Sequence, residues 1–105
     1  MTVRVSIVLY QTDPAQLQRC LDSVLPSALV SAIDLVDNSP SACLQSCLPA
    51  DPRLHYLHTG TNLGYGRGHN ISLRRSLAQG CEFHLVLNAD VRFDSGVIAK
   101  MVAFM

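Results

Sequence analysis

The sequence predicts an α/β fold, with a mostly parallel sheet of about four strands and flanking helices. Hydrophobic residues make up 49% of the 105 residues and charged residues 15%. This balance excludes disorder and indicates elements that are buried on more than one side. Short apolar runs typical of strands alternate with helix-like segments, which implies parallel strands joined by right-handed crossovers. The length suits one domain.

The first strand and the first helix have clear signals. Val3–Leu9 is a nearly continuous apolar run, typical of a central strand covered on both faces. Asp13 is placed to cap a helix, Pro14 suits the first helical position, and Gln16 completes a near capping box. An apolar stripe at helical spacing follows, formed by Leu17, Leu21, Val24 and Leu25. One face of this helix should therefore pack on the sheet.

A second apolar run, at residues 32–37, predicts the second strand. It ends in Asp37 and the sequence Asn-Ser-Pro, which are residues that turns select. Residues 40–52 contain three prolines around a short apolar segment at 42–48. We interpret this stretch as a connector with one or two helical turns.

The second half of the chain repeats the alternation. Residues 53–59 and 82–88 have strand patterns and predict the third and fourth strands. Between them, a glycine-rich loop leads into a helix at about 68–79, with Gly80 as its C-terminal stop.

A last helix is expected at 95–105, capped by Asp94 or Ser95. Its residues are strongly apolar, as in helices that pack against further structure. Exposed on its own, this helix would favour self-association.

Charge and composition exclude several classes of protein. Eight basic and eight acidic side chains give a net charge of zero, so we expect no nucleic-acid partner. No apolar run approaches the roughly 18 to 20 residues of a membrane span, and the start does not read as a signal peptide. The sequence therefore predicts a cytoplasmic protein. The four cysteines lack the paired spacing of a zinc site and are expected to be reduced, structural thiols.

Polar clusters follow three of the predicted strands, at 10–13, 37–39 and 88–90. Because parallel sheets bind ligands outside the carboxyl ends of their strands, we expect these clusters to share one edge. The loop at 62–70 adds three glycines at alternate positions, which let a ligand approach the backbone. This spacing differs from the G-x-G-x-x-G dinucleotide fingerprint and follows the third strand, so classical NAD binding is disfavoured.

Four segments carry a resemblance to a known family: VSIVLY at 5–10, VDNS at 36–39, NLGYGRGHN at 62–70 and LVLNAD at 85–90. In this order and spacing they resemble the inverting glycosyltransferase family 2 with the GT-A fold, particularly its rhamnosyltransferase-like members. The resemblance spans essentially the whole chain. It implies the N-terminal, nucleotide-sugar-binding half of a GT-A domain.

The resemblance also implies roles for particular residues. Asp37 would contact the base or ribose of the nucleotide, with Tyr10 beside it, and a carboxylate suits that task because it accepts hydrogen bonds. Asp90 would be the ligand of Mg2+ or Mn2+, which bridges the donor diphosphate. The implied contacts to the nucleotide sugar are Tyr10, Asp37, Asn62, Gly64, Arg67 and Asn88.

Other interpretations of the same residues are open. Asp37 and the residues at 88–90, where asparagine replaces the first acid of the family's motif, also suit plain turns. Arg67 and His69 are placed either to meet diphosphate oxygens or to remain solvated. Asn70 is expected to support the loop or cap the helix that follows.

Several further polar residues receive no functional role. Arg74 and Arg75 fall within a predicted helix, where we expect an exposed polar face. His55, His58 and His84 lie in predicted strands without a spacing that converges on a metal, so core or surface positions are expected.

The resemblance implies transfer of a sugar from a UDP- or dTDP-linked donor to a saccharide or lipid-linked acceptor, as in cell-surface polysaccharide synthesis. The family's catalytic base follows its metal motif, so we expect the base beyond Met105 and no activity from this chain alone. The parent protein is expected in the cytoplasm or at the inner face of the membrane. Two alternatives are a non-catalytic nucleotide-binding module and a receiver-like signalling domain, although the acidic pair of a receiver is lacking after the first strand.

Overall fold

Four parallel strands form one sheet in the computed structural model, which describes residues 2–94 and 96–105. The strands are β1 (Val3–Leu9), β2 (Val30–Asp37), β3 (Leu54–His58) and β4 (Phe83–Asn88). They lie in the order β3-β2-β1-β4, and each neighbouring pair is parallel. The predicted α/β fold is confirmed, and β1 is an inner strand, as expected from its apolar run.

The helices cover both faces of the sheet. They are α1 (Pro14–Val24), α2 (Tyr65–Gln79) and α3 (Val97–Phe104), with a short 3-10 helix at Cys43–Cys47. The α1, α3 and 3-10 helices share one face, and α2 lies on the other. The chain thus winds outward from β1 to β3 and returns through α2 to β4. This is the doubly wound order 3-2-1-4, whereas receiver-like, flavodoxin-type sheets begin 2-1-3.

The face under α1 and α3 holds the hydrophobic core. Alternate residues of β1 point into it, and all seven residues of this strand are buried. The predicted stripe of α1 packs there through Leu17, Leu21 and Val24. Asp13 caps α1 as predicted, because its side chain accepts a hydrogen bond from the backbone N–H of Ala15 at 3.3 Å.

The glycine-rich helix begins earlier than the sequence predicts. α2 starts at Tyr65 rather than at residue 68, so two glycines of the loop motif lie in its first turns. Gly68 is there because α2 crosses β1 closely: a Cβ on this residue would lie 2.6 Å from Cγ2 of Val8. Gly80 ends the helix as predicted, in a left-handed conformation with φ of 68°.

Other element bounds differ by a few residues. The last helix runs over Val97–Phe104, and its N-cap residue is Gly96, which has no side chain with which to cap it. The predicted cap by Asp94 is therefore wrong, and Ser95 lies outside the described residues. The connector contains the 3-10 helix Cys43–Cys47, in agreement with the predicted helical turns. All four cysteines are free.

The face under α2 is polar at its centre. Asp34 of β2 is fully buried and accepts hydrogen bonds from Arg4 Nε at 2.7 Å, Arg4 Nη2 at 2.9 Å and Arg75 Nη1 at 2.9 Å. It also accepts one from the hydroxyl of Ser72. Nη1 of Arg4 donates a further hydrogen bond to Gln79 Oε1 at 2.7 Å. Arg75, which the sequence suggested would be an ordinary solvated residue, is thus part of a buried ion-pair network.

Two histidines continue this polar layer. Ser6 Oγ is hydrogen bonded to His69 Nδ1 at 2.7 Å and to His84 Nε2 at 2.9 Å, and Ser76 Oγ is hydrogen bonded to His84 Nδ1 at 2.6 Å. Nε2 of His69 is buried and has no partner among the described residues. Burial lowers the pKa of His69, as does the neighbouring His84. Burial also lowers the pKa of His84, against the opposing effect of Asp34.

We expect the protein to lose stability as the pH falls from about 7 to about 5. Both rings bind a proton less readily in the folded chain than in the unfolded chain, where the pKa of histidine is about 6.5. The two histidines therefore add to the free energy of unfolding above the unfolded-state pKa. This stabilisation is lost as the pH falls through the lower pKa of the folded chain. Denaturant unfolding at both pH values measures the effect. His84→Gln should flatten the dependence, because it removes one of the two rings whose pKa is lowered.

Candidate donor-binding site

The carboxyl ends of the strands bring the predicted polar clusters to one edge of the sheet. In the register, Leu9 of β1 lies beside Asp37 of β2, and Val8 lies beside Asn88 of β4. The ends of β2 and β4 thus flank that of β1 and are separated by two interstrand spacings, about 10 Å. The order of the strands reverses between β1 and β4, and ligands bind at such switch points in open α/β sheets.

Asp37 lies in the wall of a cleft of about 340 Å³ beside the ends of β1 and β2. It is fully buried, and its two oxygens accept hydrogen bonds from the Ser39 backbone N–H at 3.0 Å and from the Tyr56 hydroxyl at 2.5 Å. Burial raises the pKa of Tyr56, and so does the charge of Asp37, so the phenol remains a donor. The sequence did not single out Tyr56, because only the pairing of β2 with β3 brings it to Asp37.

The turn after β1 borders the same cleft. Gln11 has a positive φ of 48°, which is uncommon for a residue with a side chain, and its backbone N–H donates to Ser39 Oγ at 2.6 Å. The backbone N–H of Tyr10 donates to Thr12 Oγ1 at 3.2 Å, and the ring of Tyr10 is 48% exposed. The turn therefore leaves an aromatic side chain accessible at the sheet edge.

The glycine loop is fixed to the same edge by Asn38. This buried side chain donates from Nδ2 to the Gly64 carbonyl at 3.3 Å and accepts at Oδ1 from the Thr59 hydroxyl at 2.8 Å. Asn62 Oδ1 accepts from the Gly64 backbone N–H at 3.1 Å, which closes a local turn. Gly64, with φ of 81°, precedes α2 and allows this turn. Asn38 was not among the predicted site residues.

The structure separates the remaining residues of the loop motif. Arg67 is exposed in the first turn of α2 and stays a candidate contact. His69 is buried between α2 and the sheet, where it is hydrogen bonded to Ser6 of β1. The prediction that it could meet diphosphate oxygens is therefore wrong. Asn70 lies inside α2 and is exposed, so it caps nothing. Both corrections follow from the early start of α2, which turns these positions away from the edge.

Asp90 follows β4 in an exposed turn and lines a second cleft, of about 260 Å³. The turn is attached to α1, because the thiol of Cys20 contacts the Asn88 carbonyl at 3.7 Å. Burial, with the charge of Asp90, raises the pKa of Cys20 to about 11, which agrees with a structural thiol. Tyr65 stands on the other side, where its hydroxyl donates to the Leu87 carbonyl at 3.4 Å. Its ring is 48% exposed and so is a further accessible aromatic at this edge.

Comparison with known proteins decides the family. The family model described as glycosyl transferase family 2 matches residues 5–105. The chain belongs to glycosyl transferase family 2. A comparison with curated protein sequences gives no match. The sequence resemblance stated above is therefore confirmed over nearly the whole chain.

Solved structures agree with this family 2 fold. A crystal structure of S. aureus TarS superposes with a TM-score of 0.71 at 19% identity, over 99% of this chain and 19% of that chain. A crystal structure of S. aureus TarS 1–349 superposes with a TM-score of 0.70 at 18% identity, over 99% of this chain and 32% of that chain. At this identity the likeness concerns the fold. The chain spans less than a third of the length of these two structures.

Asp90 offers one exposed carboxylate to a hard divalent cation of the kind that family 2 enzymes commonly use, in a cleft that Gln16, Arg19 and Arg92 also line. Magnesium and manganese accept one or two carboxylates together with phosphate oxygens and water. The Asp90 carboxylate is exposed and makes no hydrogen bond or ion pair within residues 2–94 and 96–105, and the Asn88 side chain is also exposed. No group of three metal-ligating side chains occurs in these residues.

Proposed function

We propose that this chain is the donor-binding part of an inverting glycosyltransferase that uses a nucleoside-diphosphate sugar, with UDP or dTDP as the nucleotide. The observation that carries the proposal is the placement of Asp37 and Asp90 at the ends of β2 and β4, on either side of β1. Asp37 lines a cleft that we assign to the nucleoside, and Asp90 is exposed in a second cleft that we assign to a cation and phosphates. The family match supports a glycosyltransferase.

Each predicted contact has a distinct task in this proposal. Asp37 accepts hydrogen bonds from the base or ribose, and Tyr10 offers an exposed ring beside it. Asn62 and Gly64 shape the loop, Arg67 donates to the diphosphate and Asn88 contacts the donor at the end of β4. Asp90 holds Mg2+ or Mn2+. When bound, the cation offsets the negative charge of the nucleoside diphosphate as it leaves the sugar.

The reaction is assigned to the whole protein of which this fold is a part. A hydroxyl of a saccharide or lipid-linked acceptor forms a bond to the anomeric carbon as the bond to the diphosphate oxygen breaks. The proton of that hydroxyl passes to a carboxylate base, which we assign to none of the described residues. Synthesis of a cell-surface polysaccharide at the cytoplasmic face of a membrane fits this chemistry. Within the described ranges, no helix is long and apolar enough to cross a membrane.

Calorimetric titration with UDP and with dTDP, each with and without Mn2+, tests the proposal. We expect binding that Mn2+ strengthens. Asp90→Asn should remove the Mn2+ dependence, whereas Glu82→Gln, at an exposed carboxylate before the other end of β4, should retain it. Failure of the chain to bind either nucleotide, or binding that ignores both Mn2+ and Asp90, would contradict the proposal.

The nucleoside cleft has its own test. Asp37→Asn should weaken UDP or dTDP binding by about tenfold or more, because the charged acceptor is lost. Tyr56→Phe is the matched control, since it removes the hydroxyl that contacts Asp37 but leaves the carboxylate in place. Equal losses in the two variants would indicate a structural effect on the cleft rather than contact with the nucleoside.

A further inference from the structure

Two arginines line the cleft of Asp90, and none of the roles proposed above uses them. The four lining residues are Gln16, Arg19, Asp90 and Arg92. Arg19 lies one turn after Gln16 on the exposed side of α1, and Arg92 follows Asp90 by two residues. Two guanidinium groups therefore border the cleft in which the proposed cation ligand stands.

Hydrogen bonds fix the backbones of both arginines relative to each other. The hydroxyl of Ser23 on α1 donates to the Arg19 carbonyl at 3.3 Å and accepts from the Phe93 backbone N–H at 2.9 Å. On the other side of the turn, the contact from Cys20 to the Asn88 carbonyl joins α1 to the end of β4. The segment that carries Asp90 and Arg92 is thus attached to α1 before and after these residues. The two side chains therefore extend from backbone segments that are joined to each other.

The side chains of both arginines are also without partners among residues 2–94 and 96–105. Neither Arg19 nor Arg92 forms a side-chain hydrogen bond or ion pair with the residues that the structure describes. By contrast, Arg4, Arg53 and Arg75 all pair with carboxylates. Because no described residue pairs with the two guanidinium groups, their N–H donors are available for a ligand.

The surrounding charges make anion binding depend on a cation. Three carboxylates lie near the two guanidinium groups: Asp90 in the same cleft, and Asp22 and Asp94 in the adjoining cleft that Arg19 and Arg92 also line. Two positive and three negative groups leave a local charge of minus one. A divalent cation at Asp90 would change it to plus one, so the site should attract phosphate mainly when the cation is present.

We infer that Arg19 and Arg92 form an anion subsite that binds a phosphate group next to the cation held by Asp90. The inference rests on the proposed function and extends it to residues of α1 and of the segment after β4. Guanidinium groups are suited to this task, since they donate paired, charge-assisted hydrogen bonds to phosphate oxygens. The phosphate belongs either to the donor diphosphate or to a phosphorylated acceptor, and both present the same chemistry.

Calorimetric titration of the full chain with inorganic pyrophosphate, with and without Mn2+, tests the inference. Pyrophosphate lacks the nucleoside and so isolates the subsite from Asp37. We expect Mn2+-dependent binding that weakens about tenfold in Arg19→Gln and in Arg92→Gln. Arg74→Gln, at another exposed arginine on the opposite face of the sheet, is the charge-matched control and should bind as the unchanged chain does. Arg19→Lys should recover part of the loss.

The outcomes separate this inference from the proposed function. Equal weakening in all three glutamine variants would indicate a general charge effect and overturn the subsite, as would no pyrophosphate binding by the unchanged chain. If UDP and pyrophosphate both bind with a need for Mn2+ and Asp90 but neither is weakened in the arginine variants, the proposed function stands and the inference is wrong. Weakened UDP binding in the arginine variants assigns the phosphate to the donor. Weakened binding of pyrophosphate alone, with UDP unaffected, assigns it to an acceptor.

Discussion

Asp34→Asn should lower the free energy of unfolding by about 3 to 5 kcal/mol, the usual cost of removing one partner from a buried ion pair. The substitution keeps the size of the side chain but removes the charge that faces Arg4. Arg4 is only 3% exposed, so its guanidinium would stay buried with no compensating charge. Denaturant unfolding at about pH 7 measures the loss.

Two further variants test the physical reason. In Arg4→Met combined with Asp34→Leu, both charges disappear and Arg75, which is 39% exposed, can turn toward water. The double variant should therefore be more stable than Asp34→Asn alone. Asp51→Asn removes a carboxylate from a pair near the surface and should cost much less, because water can solvate Arg53. If the two asparagine variants lose equal stability, the buried network does not contribute as argued.

The same pair predicts behaviour in acid. Burial raises the pKa of Asp34, but hydrogen bonds from Arg4 and Ser72, with the charge of Arg4, outweigh it and lower the pKa below its ordinary value. The stabilising contribution is therefore present above the ordinary carboxyl pKa of about 4 and is lost as the pH falls through the lower folded value. In Asp34→Asn, the part of acid unfolding that arises from this group should be absent.

The sequence predicted the fold well because each signal was local. The apolar run of β1 and the cap and stripe of α1 depend on neighbouring residues, and the structure confirms both. The start of α2 was predicted three residues late, because glycines were interpreted as loop residues. For Gly68 the real cause is a close approach between α2 and β1, which depends on residues about 60 positions apart and leaves no local signal.

The candidate site was predictable where strand ends define it. The resemblance picked out Asp37 and Asp90, and the topology puts both at one edge. Residues that reach the edge from other elements were missed, among them Tyr56 and Arg19. Tyr56 becomes a partner of Asp37 only through the pairing of β2 with β3, and Arg19 enters the Asp90 cleft only through the packing of α1. Motif spacing cannot reveal contacts of this kind.

The polar layer under α2 was the least predictable part of the molecule. Sequence patterns suggest that charged helix residues are solvated, and so Arg75 was expected to be exposed. An arginine and an aspartate within two apolar strands are individually unfavourable in a core. Only the register of β1 and β2, with α2 above them, shows that Arg4 and Asp34 satisfy one another. The same packing accounts for the burial of His69.

Gly68→Ala should destabilise the fold by about 1 to 3 kcal/mol, the typical cost of forcing extra volume into a packed contact. The added Cβ would lie 2.6 Å from Cγ2 and 3.1 Å from Cγ1 of Val8, so α2 must move away from β1. This contradicts the simple expectation from helix propensity, by which alanine in place of glycine stabilises a helix by roughly 0.5 to 1 kcal/mol. Thermal and denaturant unfolding measure the sign directly.

Gly66→Ala is the matched control, because it lies two residues earlier in the same helix and a Cβ there meets nothing within 4 Å. We expect it to be neutral or stabilising. Val8→Ala combined with Gly68→Ala should recover much of the loss if the clash is the cause.

Since Val8 pairs with Asn88 and α2 begins at the loop that Asn38 holds, displacement of α2 would also disturb the edge that contains Asp37 and Asp90. Weaker nucleotide binding in Gly68→Ala, but not in Gly66→Ala, would then show that this glycine serves the site through packing. If Gly68→Ala proves as stable as Gly66→Ala, the close approach does not determine the helix position.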